Sequence, residues 1–410
     1  MATPVVVAYG RTPCCRARKG GLADMHPIDY AAQALKGVIA KVPYIQEHPE
    51  EIGDVITGCA MAINELNLNA GRLIVNRAEL PDDVPAQTIN RFCSSGLQAI
   101  STVANAITAG QYKIGIGGGV ECMTKCFGPF DYEKYGNPWI LENYPGGYMT
   151  MGQTAENVAN DYGMTREVMD EMALTSHTRA AKARKDGKLA PSIIPVVKPD
   201  GTEVTYDDGI LADMDGNLKT SMEKMASLKT CFVPEDKGGK VTAATSSQTT
   251  DAAAYVILMD EVYARELGIP AIARLVDFQV AGCDATRMGM GPVYAIPKAL
   301  KHAGFHSIKD MDVVELNEAF ASQALACVKN VVNDPYLDGF QEMWDTAKVN
   351  PYGGAMALGH PMGATGAFLT CKVLDYLQDP ETAGKYGMVT MCIGGGMGEA
   401  IILERDELCK

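Results

Sequence analysis

Apolar residues follow two different spacings along the first quarter of the chain, and each spacing predicts a different element. Compact β-branched runs predict buried strands at residues 4–9, 52–58 and 113–119. Apolar residues at helical spacing predict helices at residues 28–40 and 97–109, the second of them closed by Gly110. The third strand is expected to run into a turn at the glycines 117–119. This alternation indicates an α/β domain built around a buried sheet.

The middle of the chain, from Cys122 to Ala243, has a different pattern. It is rich in Tyr, Met, Gly, Asp and Lys, strand alternation is scarce, and an amphipathic helix is predicted at residues 166–185. From Asp251 onward the α/β rhythm returns. It predicts strands at residues 253–259, 271–280, 387–392 and 399–404, and helices at residues 296–303 and 319–331. The two halves share this rhythm without a clean sequence repeat, which predicts a duplicated α/β core with an inserted loop region.

These patterns predict three domains, a number that suits the length of 410 residues. The N-terminal α/β half would consist of residues 1–122 and 244–270. A loop domain of residues 123–243 would lie over the core, and residues 271–410 would form the C-terminal α/β half.

Composition narrows the class of protein. Hydrophobic residues make up 47% of the chain and charged residues 21%, as expected of a soluble globular protein. The longest apolar runs are too short to span a bilayer. The formal net charge of −14 argues against nucleic-acid binding, which needs a basic surface. A signal peptide, a transit peptide and a C-terminal peroxisomal tripeptide are not apparent, so a cytoplasmic protein is expected.

The 12 cysteines and six histidines give little indication of a metal site. The cysteines have no C-x-x-C spacing and the histidines no zinc-site spacing, so we expect no bound metal. Thiols of a chain without a secretion signal should be reduced, and most should be small buried hydrophobes. The remaining question is which cysteine is reactive.

Three glycine-rich segments carry side chains that could act chemically. Cys93 stands where a strand-like segment turns into a helix, whose free N–H groups would favour the thiolate. His360 stands on a glycine-dense loop just before another helix, and Cys392 ends a buried strand that opens into a glycine turn. Each cysteine could instead be a buried structural residue. Asn317, at a strand-to-helix junction, could equally be an N-cap.

Taken together, two cysteines and one histidine on glycine-rich loops predict nucleophilic acyl transfer. One cysteine would accept the acyl group and the other would move a proton.

At these segments the chain resembles the thiolase family. The matching segments are Asn90-Arg-Phe-Cys-Ser-Ser-Gly-Leu-Gln-Ala, Gly118-Gly-Val-Glu-Cys-Met, Asn317-Glu-Ala-Phe, Gly354-Ala-Met-Ala-Leu-Gly-His-Pro-Met-Gly and Met391-Cys-Ile-Gly-Gly-Gly-Met-Gly. The resemblance covers almost the whole chain and implies an α/β fold with a duplicated αβαβα layered core and an inserted loop domain. It also implies an acyltransferase that cleaves 3-ketoacyl-CoA with CoA, as in β-oxidation, to acetyl-CoA and a shortened acyl-CoA.

The resemblance implies a role for each residue of the site. Cys93 would be the acylated nucleophile, His360 would accept its proton, and Cys392 would be the acid and base at the substrate α-carbon. Asn317, through a water, and His360 would bind the enolate oxygen. The backbone N–H groups of Cys93 and Gly394 would bind the oxygen of the acyl-enzyme.

The resemblance also implies what the protein binds. CoA would be a substrate, with no permanently bound cofactor, and its site must be locally basic or use helix N-termini because the chain is acidic. The expected contacts to CoA and to the reacting end are Met151, Phe232, Ala243, Ser247, Met288 and Phe320. The assembly would be a homodimer or homotetramer, with residues 89–100 near the dyad.

Three alternatives stay open at this point. A biosynthetic acetyl-CoA acetyltransferase would use the same chemistry to make acetoacetyl-CoA. A ketoacyl synthase of the same fold would be expected to have a second histidine at the position of Cys392. A catalytically inactive CoA or lipid binder would be expected to lack Cys93, His360 or Cys392, and all three are present.

Overall fold

The computed structural model describes residues 2–128, 131–382 and 384–405. Its strands are β1 Pro4–Arg11, β2 Cys15–Arg16, β3 Ile52–Gly58, β4 Ala86–Ile89, β5 Ile114–Cys122, β6 Val196–Val197, β7 Glu203–Val204, β8 Thr250–Asp260, β9 Ala273–Gly282, β10 Val313–Leu316, β11 Tyr386–Ile393 and β12 Met397–Arg405. The C-terminal residues 406–410 lie outside this description. The expected absence of a peroxisomal tripeptide concerns these residues.

The helices vary from single turns to five turns. They are α1 Pro27–Ile39, α2 Pro43–Glu47, α3 Ala70–Arg77, α4 Ser95–Thr108, α5 Tyr132–Tyr135, α6 Pro138–Asn143, α7 Met151–Asp161, α8 Arg166–Lys185, α9 Met222–Ala226, α10 Glu261–Glu266, α11 Gly291–Ala303, α12 Ala321–Val328, α13 Phe340–Asp345, α14 Ala355–Leu358 and α15 Met362–Gln378. None of the helices in the described ranges has the length and apolar character needed to cross a membrane.

The strands repeat one topology in the two halves of the chain. The order across the main sheet is β10-β11-β12-β9-β1-β8-β5-β3-β4, with β2 attached to β8. In the first half β1 and β5 both pair antiparallel with β8, and β3 pairs parallel with β5. In the second half β9 and β11 both pair antiparallel with β12, and β10 pairs parallel with β11. The predicted duplication is therefore present in the fold, although the sequences of the halves have diverged.

Helices cover both faces of each half-sheet, and two helices lie between the halves. Val256 and Leu258 of β8 pack in the same buried cluster as residues of α4 and α15, whereas Tyr255 and Ile257 point to the other face, towards α1 and α3. A third buried cluster joins α11 and α12 to the outer face of the second half. The result is the α/β core of five layers, αβαβα, that the resemblance implies.

The segment between β5 and β8 is the predicted insertion. It contains α5 to α9 and the small β6–β7 hairpin, and α8 has the bounds that its apolar spacing predicts. The division into residues 1–122 with 244–270, 123–243 and 271–410 stays a prediction.

The predicted glycine turn at residues 117–119 is wrong, because these glycines lie inside β5. A Cβ at Gly117 would lie 2.7 Å from Ile100 Cα in α4, and a Cβ at Gly119 would lie 2.1 Å from Gly363 O. The glycines therefore let the two central helices approach the sheet closely and do not form a turn. The helix predicted at residues 319–331 is also shorter in the structure, where α12 covers Ala321–Val328.

Candidate active site

The N-termini of α4 and α15 lie side by side at one end of the central layer. A Cβ at Gly96 would lie 2.8 Å from Gly363 O, so the two backbones pass in direct contact. Cys93 precedes the first residue of α4 by two positions, and His360 precedes the first residue of α15 by two positions. Packing of the two helices therefore brings Cys93 and His360, which are far apart in sequence, to the same end of the molecule.

Cys93 follows a strained turn between β4 and α4. Phe92 has φ of 45°, in the left-handed region that a bulky residue rarely adopts. Ser95 supports the turn, since its Oγ donates to Phe92 O at 2.6 Å and accepts from Arg91 N at 2.9 Å. The Asn90 carboxamide oxygen accepts from Phe92 N at 2.7 Å. Strain that neighbouring hydrogen bonds maintain is typical of functional positions.

The thiol of Cys93 is neutral in this environment, which corrects the expectation of a thiolate. Burial raises the pKa of Cys93 to about 11, although the backbone N–H groups of Gly394 and of Cys93 itself lower it. The buried Glu121 carboxyl also raises the pKa of Cys93. Desolvation outweighs the helix terminus, so Cys93 needs a base to become nucleophilic.

His360 has the protonation state of such a base. Burial lowers the pKa of His360 to about 4, so its imidazole is neutral at pH 7. The Nδ1 atom lies 2.6 Å from Thr365 Oγ1, while Nε2 is buried without a hydrogen-bond partner among the described residues. If Nδ1–H donates to Thr365, the lone pair of Nε2 is free to accept a proton.

The loop before His360 is fixed by Gln248. His360 N donates to Gln248 O at 3.0 Å, and Gln248 Nε2 donates at 2.9 Å to both Gly209 O and Met356 O. Gly359 has φ of 102°, and a Cβ there would lie 2.2 Å from Thr250 Cγ2. Position 359 therefore requires glycine for two independent reasons.

Asn317 and Cys392 lie at the carboxyl ends of two adjacent parallel strands. Leu316 of β10 pairs with Thr390 of β11, and Asn317 N donates to Thr390 O at 3.0 Å. The side chain of Asn317 is fully buried, and neither its oxygen nor its nitrogen has a partner in the described part of the chain. The N-cap alternative is wrong, because α12 begins at Ala321 after Phe320.

Cys392 lies in a small cluster of buried apolar side chains. It forms one buried cluster with Met288 and Phe320, and Met151 packs against the same cluster. A Cβ at Gly394 would lie 3.5 Å from Met151 Sδ. Burial raises the pKa of Cys392 well above its usual value, and the nearby Cys93 raises it further. Met288 and Phe320, which were expected at the reacting end, and Met151, which was expected beside the pantetheine arm, therefore surround the second cysteine.

The other three expected CoA contacts are Phe232, Ser247 and Ala243. Phe232, half exposed, packs edge to face on Phe320 with ring centroids 5.9 Å apart. Ser247 N donates to Ala319 O at 2.9 Å, which holds its loop beside Phe320. Ala243 lines a cavity of about 310 Å³ that also contains Gln248.

Three basic residues in this cavity were not identified from the sequence. Arg16, Lys19 and Lys224 line it together with Ala243, although the chain as a whole is acidic. The basic run Arg16-Ala-Arg-Lys was the available signal for two of them.

Glu121 is a fourth residue whose place at the site was not identified from the sequence. Its buried carboxylate accepts from Gly363 N at 2.8 Å, from Ala60 N at 3.0 Å and from Met61 N at 3.3 Å. It therefore ties the first turn of α15 to the loop after β3. Burial raises the pKa of Glu121 to about 7.

The arrangement suits nucleophilic acyl transfer. It combines a thiol held beside two backbone N–H groups, a neutral imidazole, a second buried thiol and an unpaired carboxamide. Among the described residues, no group of three or more His, Cys, Asp or Glu side chains is placed to hold a metal ion.

Comparison with known proteins matches the chain over nearly its whole length. Family models described as "Thiolase, N-terminal domain" and "Thiolase, C-terminal domain" match residues 4–262 and 269–405. A 3-ketoacyl-CoA thiolase of Saccharophagus degradans is 41% identical over 407 residues, which is 98% of each chain. The dimeric peroxisomal thiolase of Saccharomyces cerevisiae superposes with a TM-score of 0.86 at 32% identity, covering 98% of each chain. The acetyl-CoA acetyltransferase of Bacillus anthracis superposes with a TM-score of 0.85 at 34% identity, covering 99% of each chain.

Proposed function

Because the chain belongs to the thiolase family, we propose that it cleaves 3-ketoacyl-CoA with CoA to acetyl-CoA and a shortened acyl-CoA. The observation that supports this most is the approach of Gly394 to the Cys93 turn, where a Cβ at Gly394 would lie 3.7 Å from Phe92 Cγ and the Gly394 N–H lowers the pKa of Cys93. This contact brings together two motifs from opposite halves of the chain. Curated relatives at about 40% identity are named 3-ketoacyl-CoA thiolase, and this name favours the degradative direction.

In the first half-reaction Cys93 attacks the 3-keto carbon. His360 Nε2 takes the thiol proton, and the bond between C2 and C3 breaks. The electron pair forms the enolate of acetyl-CoA, whose oxygen is bound by His360 and by Asn317 through a water. Cys392 gives its proton to C2, and acetyl-CoA leaves. The neutral imidazole of His360 and the absence of hydrogen-bond partners for His360 Nε2 and the Asn317 side chain among the described residues support these roles.

In the second half-reaction the CoA thiol attacks the acyl-Cys93 thioester. The backbone N–H groups of Cys93 and Gly394 bind the oxygen of the tetrahedral intermediate, and each such donor contributes about 3 kcal/mol. CoA gives its proton to the Cys392 thiolate, and His360 returns its proton to Cys93 as the acyl group leaves. Both cysteines and the histidine then have their starting protonation states.

The cavity beside Ala243 supports a site for CoA on an acidic protein. Arg16, Lys19 and Lys224 could pair with its phosphates, while Met151, Phe232 and Ser247 would contact the pantetheine arm on its way to Cys392. Met288 and Phe320 would enclose the reacting end.

We also propose a cytoplasmic homodimer that binds no metal. The strand β4 is the last strand of the sheet order, so its outer edge is open for pairing with a second copy near residues 89–100. A strictly monomeric mass at micromolar concentration, with activity retained, would refute the dimer. Fractionation of the producing cells tests the location.

The proposed activity is tested by thiolysis of a ladder of 3-ketoacyl-CoA chain lengths, including branched and dicarboxylic forms. Release of acetyl-CoA that needs free CoA and disappears in Cys93→Ser is the expected result. Lys224→Ala should raise KM for CoA and leave kcat within about twofold. A wild-type protein that cleaves no member of the ladder and forms no acyl-Cys93 refutes the proposal.

A further inference from the structure

Glu399 stands where the pattern of its strand calls for an apolar residue. It shares a face of β12 with Ile401 and Leu403, which pack in the layer between the two half-sheets. Glu399 is fully buried in that layer. Between Met397 and Leu403, it is the residue on this face of β12 that carries a carboxyl group. A buried carboxyl is unfavourable unless specific partners offset its loss of water.

Two serines of the α4 segment are those partners. Ser94 Oγ donates to Glu399 Oε2, and Ser101 Oγ approaches Oε1 at 3.4 Å. Burial raises the pKa of Glu399 to about 7, and Ser94, Arg91 and Ser101 each oppose that rise. Ser94 occupies the N-cap position of α4 but makes no side-chain cap bond, because its hydroxyl is directed to Glu399.

This contact joins the two segments that carry the cysteines. Ser94 follows Cys93 directly, and Glu399 pairs across the β11–β12 hairpin with Met391, the neighbour of Cys392. Gly394 of the same hairpin lies beside this turn, since a Cβ at Gly394 would be 3.7 Å from Phe92 Cγ, and its N–H lowers the pKa of Cys93. A bond between Ser94 and Glu399 therefore fixes the Cys93 turn relative to the hairpin on which the second cysteine and the oxyanion donor stand.

We propose that Glu399 is a positioning residue for acyl transfer: through Ser94 it holds Cys93 in register with Gly394 and Cys392. This inference rests on the proposed function, because it takes Cys93 to be the residue that carries the acyl group. An apolar residue would fill the same space, but it could not restrain the Ser94 hydroxyl, and the turn at Phe92 is already strained. Misplacement by about 1 Å can slow catalysis by about 10²-fold.

The test measures Cys93 directly. The variants are Glu399→Ala, Glu399→Gln, Ser94→Ala and the double variant of Ser94→Ala with Glu399→Ala. Ser192→Ala is the matched control, because Ser192 Oγ donates at 2.5 Å to another buried carboxyl, Asp375, near the C-terminal end of α15. For each protein, mass spectrometry follows single-turnover acetylation of Cys93 by acetyl-CoA and alkylation of Cys93 by iodoacetamide. Thermal unfolding and KM for CoA are recorded alongside.

We expect Glu399→Ala and Ser94→Ala to slow acetylation by about 10- to 100-fold with KM for CoA nearly unchanged. Glu399→Gln keeps an acceptor for Ser94 and should remain within about threefold of wild type. The double variant should be no slower than the slower single variant, because both remove the same bond. Ser192→Ala should acetylate at the wild-type rate.

Wild-type acetylation rates in both Glu399→Ala and Ser94→Ala overturn the inference. So does an equal slowing in Ser192→Ala, which would indicate a general loss of packing. The alkylation rate separates this inference from the proposed function. If the wild type cleaves no 3-ketoacyl-CoA but the same variants change Cys93 alkylation selectively, the function is refuted and the positioning role of Glu399 is supported.

Discussion

The backbone N–H of Gly394 lowers the pKa of Cys93, yet the thiol keeps its proton at neutral pH. Burial raises the pKa of Cys93 to about 11 and outweighs the effect of Gly394. In the proposed mechanism Cys93 therefore stays uncharged until His360 takes its proton, and burial keeps the imidazole neutral by lowering the pKa of His360 to about 4.

The pH dependence of alkylation distinguishes this neutral thiol from a preformed thiolate. Below a pKa of about 11 the thiolate fraction grows about tenfold per pH unit, so inactivation by iodoacetamide should accelerate in that way from pH 7 to 9. Peptide mapping should show that loss of activity follows labelling of Cys93. Labelling of the exposed Cys231 should leave activity intact. Acetoacetyl-CoA should protect Cys93, and a rate plateau below pH 8 would contradict the raised pKa.

Replacement of Asn317 should separate stability from activity. The Asn317→Ala variant removes a buried carboxamide that bonds nothing in the described chain, so stability should be unchanged or higher by about 1 kcal/mol. Turnover should fall about 10²- to 10³-fold, because an oxyanion donor is lost.

The matched control is Asn350→Ala. The Asn350 side chain accepts from Leu316 N at 2.8 Å and donates to Leu316 O at 2.9 Å and to Glu318 Oε1 at 2.8 Å. Its loss should destabilise the fold by about 1–3 kcal/mol. Chemical denaturation measures the stability of both variants, and thiolysis rates measure their activity. A large loss of stability in Asn317→Ala would indicate a structural role for Asn317.

Two serine variants should separate the roles of the cysteines. Cys93→Ser should form no acyl-enzyme from any thioester. Cys392→Ser keeps Cys93 and His360 and should still acetylate slowly, but its turnover should fall about 10²- to 10⁴-fold because serine is a far weaker acid than cysteine. Mass spectrometry after incubation with acetyl-CoA, together with exchange of the methyl protons in D₂O, tests both variants. Methyl exchange at the wild-type rate in Cys392→Ser would exclude Cys392 as the base.

The buried Glu399 should make stability depend on pH. Its pKa rises from 4.5 to about 7 on folding, so the folded state holds a proton that the unfolded state has lost between these values. This contribution to stability is complete below pH 4.5 and is lost as the pH rises through 7. The free energy of unfolding of the wild type should therefore fall relative to Glu399→Gln between pH 5 and 7, by at most about 1.4 kcal/mol per pH unit. Denaturant titrations at fixed protein concentration measure the difference, and parallel pH profiles would contradict it.

Local pattern predicted the elements that depend on near neighbours. The strand at residues 52–58 and the helix at residues 166–185 have the predicted bounds. The helix also has a local start signal, because the Thr165 side chain caps its first turn by accepting from Val168 N. The prediction of a turn at glycines 117–119 was wrong, because a glycine run also permits close backbone approach inside a strand. This close approach is visible only when α4 and α15 are in place.

The reaction class and the candidate residues followed from the sequence by itself, since Cys93, His360, Cys392 and Asn317 stand on glycine-rich or strand-terminal segments that near neighbours specify. The tertiary structure decided how these residues behave. The raised pKa of Cys93, the unpaired side chain of Asn317 and the bond from Ser94 to Glu399 all arise where segments from opposite halves of the chain exclude water. Desolvation and long-range hydrogen bonds depend on which distant segments meet, and no local pattern encodes that.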